Sequence, residues 1–566
     1  MAAEGRFRAA ARPPGPCDAG RLSRRALLRG GVGLGGAALL GALPGCREVD
    51  PLPPDPGWWP GEVAHLLGAA GAREALFKVS FRTPPCAPVL RVRGREGSAA
   101  PGQASDGGGR FHRFRLGGLE PDTAYELELV GAGGEPLCDP WTFRTFPAPD
   151  ARPRRFRLLV YTCAGGSDLF VHPTRGFLFR PTGVRQRILR RGLSLAPDAV
   201  LAIGDHVYFD LRSRPGLAMG RSPQALLTAG RFRRDEPVLG GHNEQVLIRA
   251  FGPQIADLYA THFRSVPVFF VQDDHDFTEN DEADARLRTF PPDRFMREVA
   301  AATRRLFYPE FPPTGLEPRA VLDGEGLAGP FAVLRVGRLF EALVADCRGH
   351  LTNARDPARR DRGSAFLPPG VEGWVIRRLQ KSDALHGALV PSTPVLWTAG
   401  KWGEWYPDVQ DPNGVLRADL DKPFWPRGWL EQHDRLLAAA SARRDRMPLV
   451  VSGDLHATGA GRILRSGERD LRPNPVVSLL SGTPGSAGPM WPSAARGQRP
   501  VPSGVLDAEE WVPPVEENGF TLLEFTPEGL RAELYRWRPE QGLAALDTLE
   551  PFAVLELPRG RPAGPV

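Results

Sequence analysis

Val200-Leu201-Ala202-Ile203-Gly204-Asp205-His206-Val207-Tyr208 opens with a short apolar run that ends, after one glycine, in an acid. Its length and aliphatic make-up read as a strand buried on both faces. Three further runs share the plan. Val160-Tyr161-Thr162 ends in Cys163, Val268-Phe269-Phe270-Val271-Gln272 in Asp273-Asp274-His275, and Leu449-Val450-Val451-Ser452-Gly453 in Asp454-Leu455-His456. Helical stretches separate the four, which predicts strands of one shared sheet. Open α/β sheets build their sites beyond the carboxyl ends of their strands, so the four endings are expected to converge. Thiol, carboxylate and imidazole gathered at one place are metal-ligating chemistry.

Outward from that stretch, the chain alternates strand and helix from Phe156 onward. Val184, Ile188 and Leu189 give one helix an apolar face. Val371, Val375 and Leu379 do so for a second, and Leu430 and Leu437, with His433 and Leu436 nearby, for a third. Further strands are expected at 331–336, 339–345 and 394–398, and residues 520–525 and 530–537 alternate like antiparallel strands. The predicted class is α/β, with a two-layer β-sandwich core flanked by helices over residues 155–566. Before it, 75–81, 89–93, 111–116 and 119–129 are short alternating runs that read as a small all-β sandwich over 61–147. Pro147-Ala148-Pro149-Asp150-Ala151-Arg152-Pro153 marks the boundary, and the Pro- and Asp-rich residues 47–60 read as a linker.

A chain of 566 residues has room for more than one domain. Basic residues outnumber acidic ones, 72 to 66, and nearly all are arginine, with lysine only at 78, 381, 401 and 422. No long basic run lies outside the N-terminus, so the charge reads as a solvated surface and no specific nucleic-acid binding is indicated. Arg21-Leu22-Ser23-Arg24-Arg25-Ala26-Leu27-Leu28 resembles a twin-arginine export signal. The Gly/Ala/Leu run over 31–43 is too short to span a bilayer but suits the apolar region of a signal. Leu43-Pro44-Gly45-Cys46 resembles a lipoprotein cleavage box with Cys46 as the lipidated residue, the alternative being an ordinary cleaved signal. The expectation is residues 1–46 as signal, delivery through the twin-arginine machinery to the periplasm or cell envelope, and membrane attachment through Cys46. Cys17 falls within the signal. Export permits a disulfide between Cys86 and Cys138 of the small domain, but spacing alone does not establish that they meet. No Cys-x-x-Cys pair is present, so a zinc knuckle is not indicated.

Gly204-Asp205-His206-Val207-Tyr208 matches the slot that, in metallophosphoesterases, holds an aspartate shared by two metals. Asp273-Asp274-His275-Asp276 matches the slot usually written Gly-Asn-His-Glu, with Asp276 where many members carry glutamate. Gly453-Asp454-Leu455-His456 matches the terminal Gly-His-x-His slot. With Thr162-Cys163, Asp346-Cys347-Arg348 and Trp429-Leu430-Glu431-Gln432-His433-Asp434-Arg435-Leu436-Leu437, these motifs resemble the alkaline phosphatase D (PhoD-like) family over nearly the whole chain past the signal. Gly118-Leu119-Glu120-Pro121-Asp122-Thr123-Ala124-Tyr125 resembles the turn and tyrosine of a fibronectin type III-like domain. The resemblance implies a metallophosphoesterase fold and an exported, metal-dependent enzyme whose substrate is a phosphomonoester or phosphodiester. It implies Cys163, Asp205, Tyr208 and His456 as ligands to iron, Fe(3+), for which thiolate and phenolate donors are suited. It implies Asp205, Asp274 and Asp454 as ligands to calcium, Ca(2+), which favours oxygen. His275 would stabilise the transition state or protonate the leaving oxygen. Arg348 would reach the substrate phosphate or form a structural ion pair, and the sequence leaves both open.

Taken singly, each residue has a plainer reading. Cys163 suits a buried thiol, Tyr208 a packing tyrosine, Asp205 a helix cap and His275 a solvated histidine. Four strand endings in the right order favour the functional reading. Gly400-Lys401-Trp402-Gly403-Glu404-Trp405 either lines the pocket or packs as a loop, and Glu279-Asn280-Asp281-Glu282 either backs the ligands or caps a turn. Gly165-Gly166-Ser167 lacks the downstream Gly-Lys-Ser of a phosphate loop. Two other functions fit the sequence: a cell-envelope binding protein on a non-catalytic scaffold, and the same enzyme acting on phospholipid or extracellular nucleic acid, where salt sensitivity would be diagnostic.

Overall fold

The computed structural model describes residues 49–560, apart from 54, 169–170, 173–175, 210–228, 278–291, 318–330, 352–363, 401–403, 421–424 and 426. Residues 1–46, read above as a signal with Cys17 and Cys46, the acidic stretch 279–282 and the 401–403 part of the tryptophan loop lie outside the described residues.

A mixed α/β core holds two stacked sheets. One has six strands in the order Val268–Val271, Ala199–Ile203, Phe156–Thr162, Asn518–Phe525, Gly529–Trp537 and Pro551–Pro558. The first three are parallel and the rest antiparallel. The other has eight, running from Phe331–Val336 through Phe340–Ala345, His386–Pro391, Pro448–Ser452 and Val476–Leu480 to Thr458–Ser466, which pairs with Arg469–Asp470 and Leu506–Val515.

Strand periodicity explains why both faces of the central strands are apolar. Leu158, Val160, Leu201, Ile203, Phe269 and Val271 share one buried cluster with Val344, Val390, Leu449, Val451 and Leu479 of the second sheet. The alternate residues Leu159, Tyr161, Val200, Ala202, Val268 and Phe270 belong to a second cluster, with Ile188, Leu247, Phe251 and Val299 from the helices Thr182–Ser194, His242–Tyr259 and Arg294–Phe307. On the outer face of the eight-stranded sheet, helices Pro369–Lys381 and Arg427–Ser441 cover Val333, Leu343, Leu389 and Val450. Burial of each such aliphatic side chain is worth about 1.5–3 kcal/mol.

One expectation is corrected. The four runs that end in candidate ligands do not share a sheet, because Pro448–Ser452 belongs to the eight-stranded sheet while the other three lie in the six-stranded one. A strand buried on both faces reads the same in either layer, so nothing local specifies its neighbour. The sheets meet at the rim where these strands end. Thr162 Oγ1 lies 3.2 Å from Asp454 N, and a Cβ on Gly453 would stand 2.3 Å from that hydroxyl.

The N-terminal strands form two four-stranded antiparallel sheets. Their orders are Val63–Ala70, Ala75–Phe81, Phe111–Leu116, Gln103–Ala104, and Ala99–Pro101, Val89–Val92, Ala124–Val130, Trp141–Arg144. Leu66, Phe77, Phe114, Leu127, Trp141 and Phe143 fill the space between them. The buried Lys78 donates to Arg305 O at 2.7 Å and pairs with Glu310 at 3.0 Å. The stretch before the first strand lies against the mixed α/β core: Asp55 pairs with Arg264 at 2.6 Å, and that guanidinium covers the Trp58 ring. Cys138 keeps a free, buried thiol, so the disulfide that spacing allowed with Cys86 is not made.

Candidate metal centre

Cys163, Asp205, Asp454 and His456 all leave their strands with positive φ, at 50°, 55°, 73° and 52°. Among the described residues eight non-glycine positions do so, and half of them are these. Each left-handed side-chain-bearing residue costs on the order of 1–3 kcal/mol and persists only where its surroundings over-determine it. Gly204 (φ 68°) makes the turn into Asp205 possible, since a Cβ there would stand 2.4 Å from the Asp273 Cβ.

The donors form three overlapping groups, each within 4.8 Å: Cys163, Asp205 and His456; Asp205, Asp274 and His275; Asp273, Asp274 and Asp454. Asp205 is common to the first two and Asp274 to the last two. Tyr208 Oη donates to Asp205 Oδ2 at 2.8 Å and lies 3.4 Å from His456 Nε2. Cys163 Sγ is 3.3 Å from the same carboxylate oxygen. His275 packs its ring on Tyr208 with centroids 4.3 Å apart. It is 6 % exposed, as is His456, whereas Asp205, Tyr208 and Asp274 are wholly buried.

Arg348 is fully buried, with Nε 2.5 Å from Asp273 Oδ1 and Nη2 3.3 Å from Asp454 Oδ2. Burial works against its cation, but Asp273, Asp454 and Asp274 outweigh that and hold its pKa well above the ordinary value. Burial, reinforced by Asp205, pushes both the Cys163 thiol and the Tyr208 phenol well above their usual range. The protein alone therefore keeps both protonated, and coordination to a metal is what removes such protons. Among the described residues, Asp205, Asp273, Asp274 and Asp454 bring four carboxylates into a buried space with the Arg348 guanidinium. Buried charge of one sign requires a counter-charge. The donor set fits metal ions: a sulfur, phenol, imidazole and carboxylate group on one side, and an oxygen-only group on the other.

All seven sequence-predicted ligand and acid residues meet here, and Arg348 joins them. Glu404 and Trp405 do not. Both are buried, and Trp405 stacks on Phe366 at 4.7 Å beneath the second sheet, which is the packed-loop alternative. Asp273 belongs to the carboxylate group although the motif reading put weight on its neighbour. Supporting residues were also missed. His456 Nδ1 is hydrogen-bonded to Ser486 Oγ, which turns Nε2 toward the site. Thr483 Oγ1 donates to Cys163 O at 3.0 Å. Gln254 and Asp276 grip the Asp205–Tyr208 loop. Of these, only Asp276 lay in a readable motif.

A two-sheet core whose rim gathers shared carboxylates, imidazoles, a thiol and a phenol defines a metal-dependent phosphoester hydrolase. The family model for PhoD-like phosphatase matches residues 183–534. The chain belongs to the PhoD-like phosphatase family. The solved structure of PhoD superposes with a TM-score of 0.53 at 13 % identity, covering 86 % of this chain and 88 % of that one, a likeness of fold. The solved structure of purple acid phosphatase PPD1 from yellow lupin (Lupinus luteus) seeds gives 0.49 at 11 % identity, covering 84 % and 72 %. No curated protein matches the sequence. Cys163 precedes the stretch matched by the family model, and its place at the site comes from the fold.

Proposed function

We propose that this hydrolase is exported and cleaves phosphomonoesters or phosphodiesters at a centre of one iron(III) and one calcium ion. Cys163, Asp205, Tyr208 and His456 would hold the iron, and Asp205, Asp274 and Asp454 the calcium. When bound, such ions supply Lewis-acid polarisation of a phosphoryl oxygen and a water of lowered pKa. His275 and His456 are the most exposed of the named site residues, which suits His275 to proton delivery to a leaving oxygen. Arg348 would hold Asp273 and Asp454 in place and add positive charge behind the phosphate. The observation that carries this reading is the convergence of Cys163, Tyr208 and His456 on a single carboxylate, Asp205.

The small N-terminal sandwich is read as fibronectin type III-like, supported by the Tyr125 hydroxyl, which accepts the Glu120 N–H at 2.7 Å across its turn. Delivery by the twin-arginine route and lipidation of Cys46 rest on the signal sequence alone.

The test is hydrolysis of nitrophenyl mono- and diesters by protein reconstituted with iron and calcium, beside Asp205→Ala. Metal-dependent turnover that disappears in the variant is expected. An Asp205→Ala protein that keeps its metals and full activity would overturn the assignment.

A further inference from the structure

The segment Asp205-His206-Val207-Tyr208 contributes two of the proposed ligands, yet it belongs to no helix or strand. All four of its backbone N–H groups are nevertheless bound, and by only two side chains. Asp276 Oδ2 accepts from Asp205 N at 2.9 Å, and Oδ1 accepts from His206 N at 2.9 Å and Val207 N at 3.2 Å. Gln254 Oε1 accepts from Tyr208 N at 2.8 Å, while its Nε2 donates back to Tyr208 O at 3.1 Å. Each clamp also holds a second piece of the site. Asp276 Oδ2 accepts from Asp273 N at 2.9 Å, and Gln254 Oε1 accepts from Gly166 N at 2.8 Å, in the loop after Cys163. Asp276 lies outside the donor groups themselves.

Both clamps are rigidly placed. Asp276 and Gln254 are at most 1 % exposed. Gln254 sits in the helix His242–Tyr259 and is further pinned by Ala250 O at 2.9 Å. Asp276 sits in the short 3-10 turn Asp274–Phe277, which also presents Asp274 and His275. One carboxylate therefore ties the loop of the shared aspartate to the turn of the second donor group. One amide ties the Tyr208 loop to the Cys163 loop.

We propose that Asp276 and Gln254 are positioning residues that set the Asp205–Tyr208 loop in its ligating shape before any metal binds. They act through the backbone and touch neither metal nor substrate. Side chains that orient ligands typically govern metal affinity by about 10–100-fold.

The proposal rests on Asp205 and Tyr208 being ligands, and the experiment separates the two ideas. Calcium affinity is measured by calorimetry and iron content by elemental analysis on wild type, Asp276→Asn, Gln254→Leu and Asp205→Ala. Asp276→Asn is expected to bind calcium about 10–100-fold more weakly, and Gln254→Leu, whose clamp joins the Tyr208 and Cys163 loops, to retain less iron. At saturating metal they should lower kcat and leave KM for a nitrophenyl ester unchanged. Clamp variants with wild-type affinity and iron content, beside an Asp205→Ala that has lost its metal, overturn the clamp and leave the ligand reading standing. An Asp205→Ala protein that retains metal overturns both. Wild-type protein supplies a measurement that needs no variant. Amide hydrogen exchange over residues 205–208 should be as slow in metal-stripped as in loaded protein, and free exchange without metal would overturn preorganisation.

Discussion

Four buried histidines make the fold acid-labile to an extent that follows from their surroundings. Burial holds His65 and His433 down at about 3 and His206 and His386 at about 4, against an ordinary value of 6.5. The His206 and His386 Nε2 atoms lie 2.8 and 2.6 Å from carbonyl oxygens, and His433 Nε2 lies 2.8 Å from the Tyr406 hydroxyl, contacts a neutral ring satisfies. Among the described residues, His65 has no hydrogen-bond partner for either ring nitrogen. The folded state thus binds fewer protons than the unfolded one below pH 6.5, so this stability is complete above 6.5 and is lost as the pH falls toward the folded values. At pH 5.5 each group forfeits about 1.4 kcal/mol, or about 5.6 kcal/mol for four. Asp346, raised to about 6 by burial, works in the opposite sense and returns about 0.8 kcal/mol. Over these five groups the loss is about 5 kcal/mol, against a typical total stability of about 5–15 kcal/mol. The assay is urea unfolding of metal-stripped protein at pH 8 and pH 5.5, for wild type and His65→Leu. Leucine should remove one histidine's share and shrink the difference by about 1.4 kcal/mol. If His65→Leu loses as much as wild type over that interval, His65 is not held neutral in the fold and the reasoning fails.

Three further outcomes are expected. Arg348→Met removes a buried cation paired with Asp273 and Asp454 and should destabilise metal-stripped protein by about 3–5 kcal/mol in urea unfolding; a change below about 1 kcal/mol would deny the ion pair its role. Gly453→Ala drives a methyl group toward Thr162 Oγ1 and Ile203 O, at 2.3 and 2.8 Å, and should cost about 1–3 kcal/mol together with calcium affinity, whereas wild-type calorimetry would show that the rim yields freely. Chelator treatment should lower Tm, since a ligand at a hundred times its Kd contributes about 2.7 kcal/mol; an unchanged Tm with activity abolished would mean that the metals do not stabilise the fold.

Much of the site was legible because its residues sit at fixed offsets from strand ends. An apolar run followed by Gly-Asp or Asp-Asp-His is a local signal, and Asp205, Asp274, Asp454 and His456 follow from it. The clamps were not legible in the same way. Gln254 meets Tyr208 across 46 residues, from a helix with Pro253 inside it, and an internal proline reads as a helix breaker. Ser486, which orients His456, is one small polar residue in a glycine-rich loop with no periodicity to mark it.

The sequence by itself determined the alternation of buried strands and helices, the all-β start and the strand ends that carry the candidate ligands, because periodicity and residue chemistry are local properties. Only the tertiary structure decided which sheet each strand joins, that Asp454 reaches the site across the gap between sheets, and that Trp405 is core. It also decided that Arg348 spends its guanidinium on Asp273 and Asp454. These depend on long-range pairing, and a strand buried on both faces, or an arginine after a strand, reads alike in every arrangement that buries it.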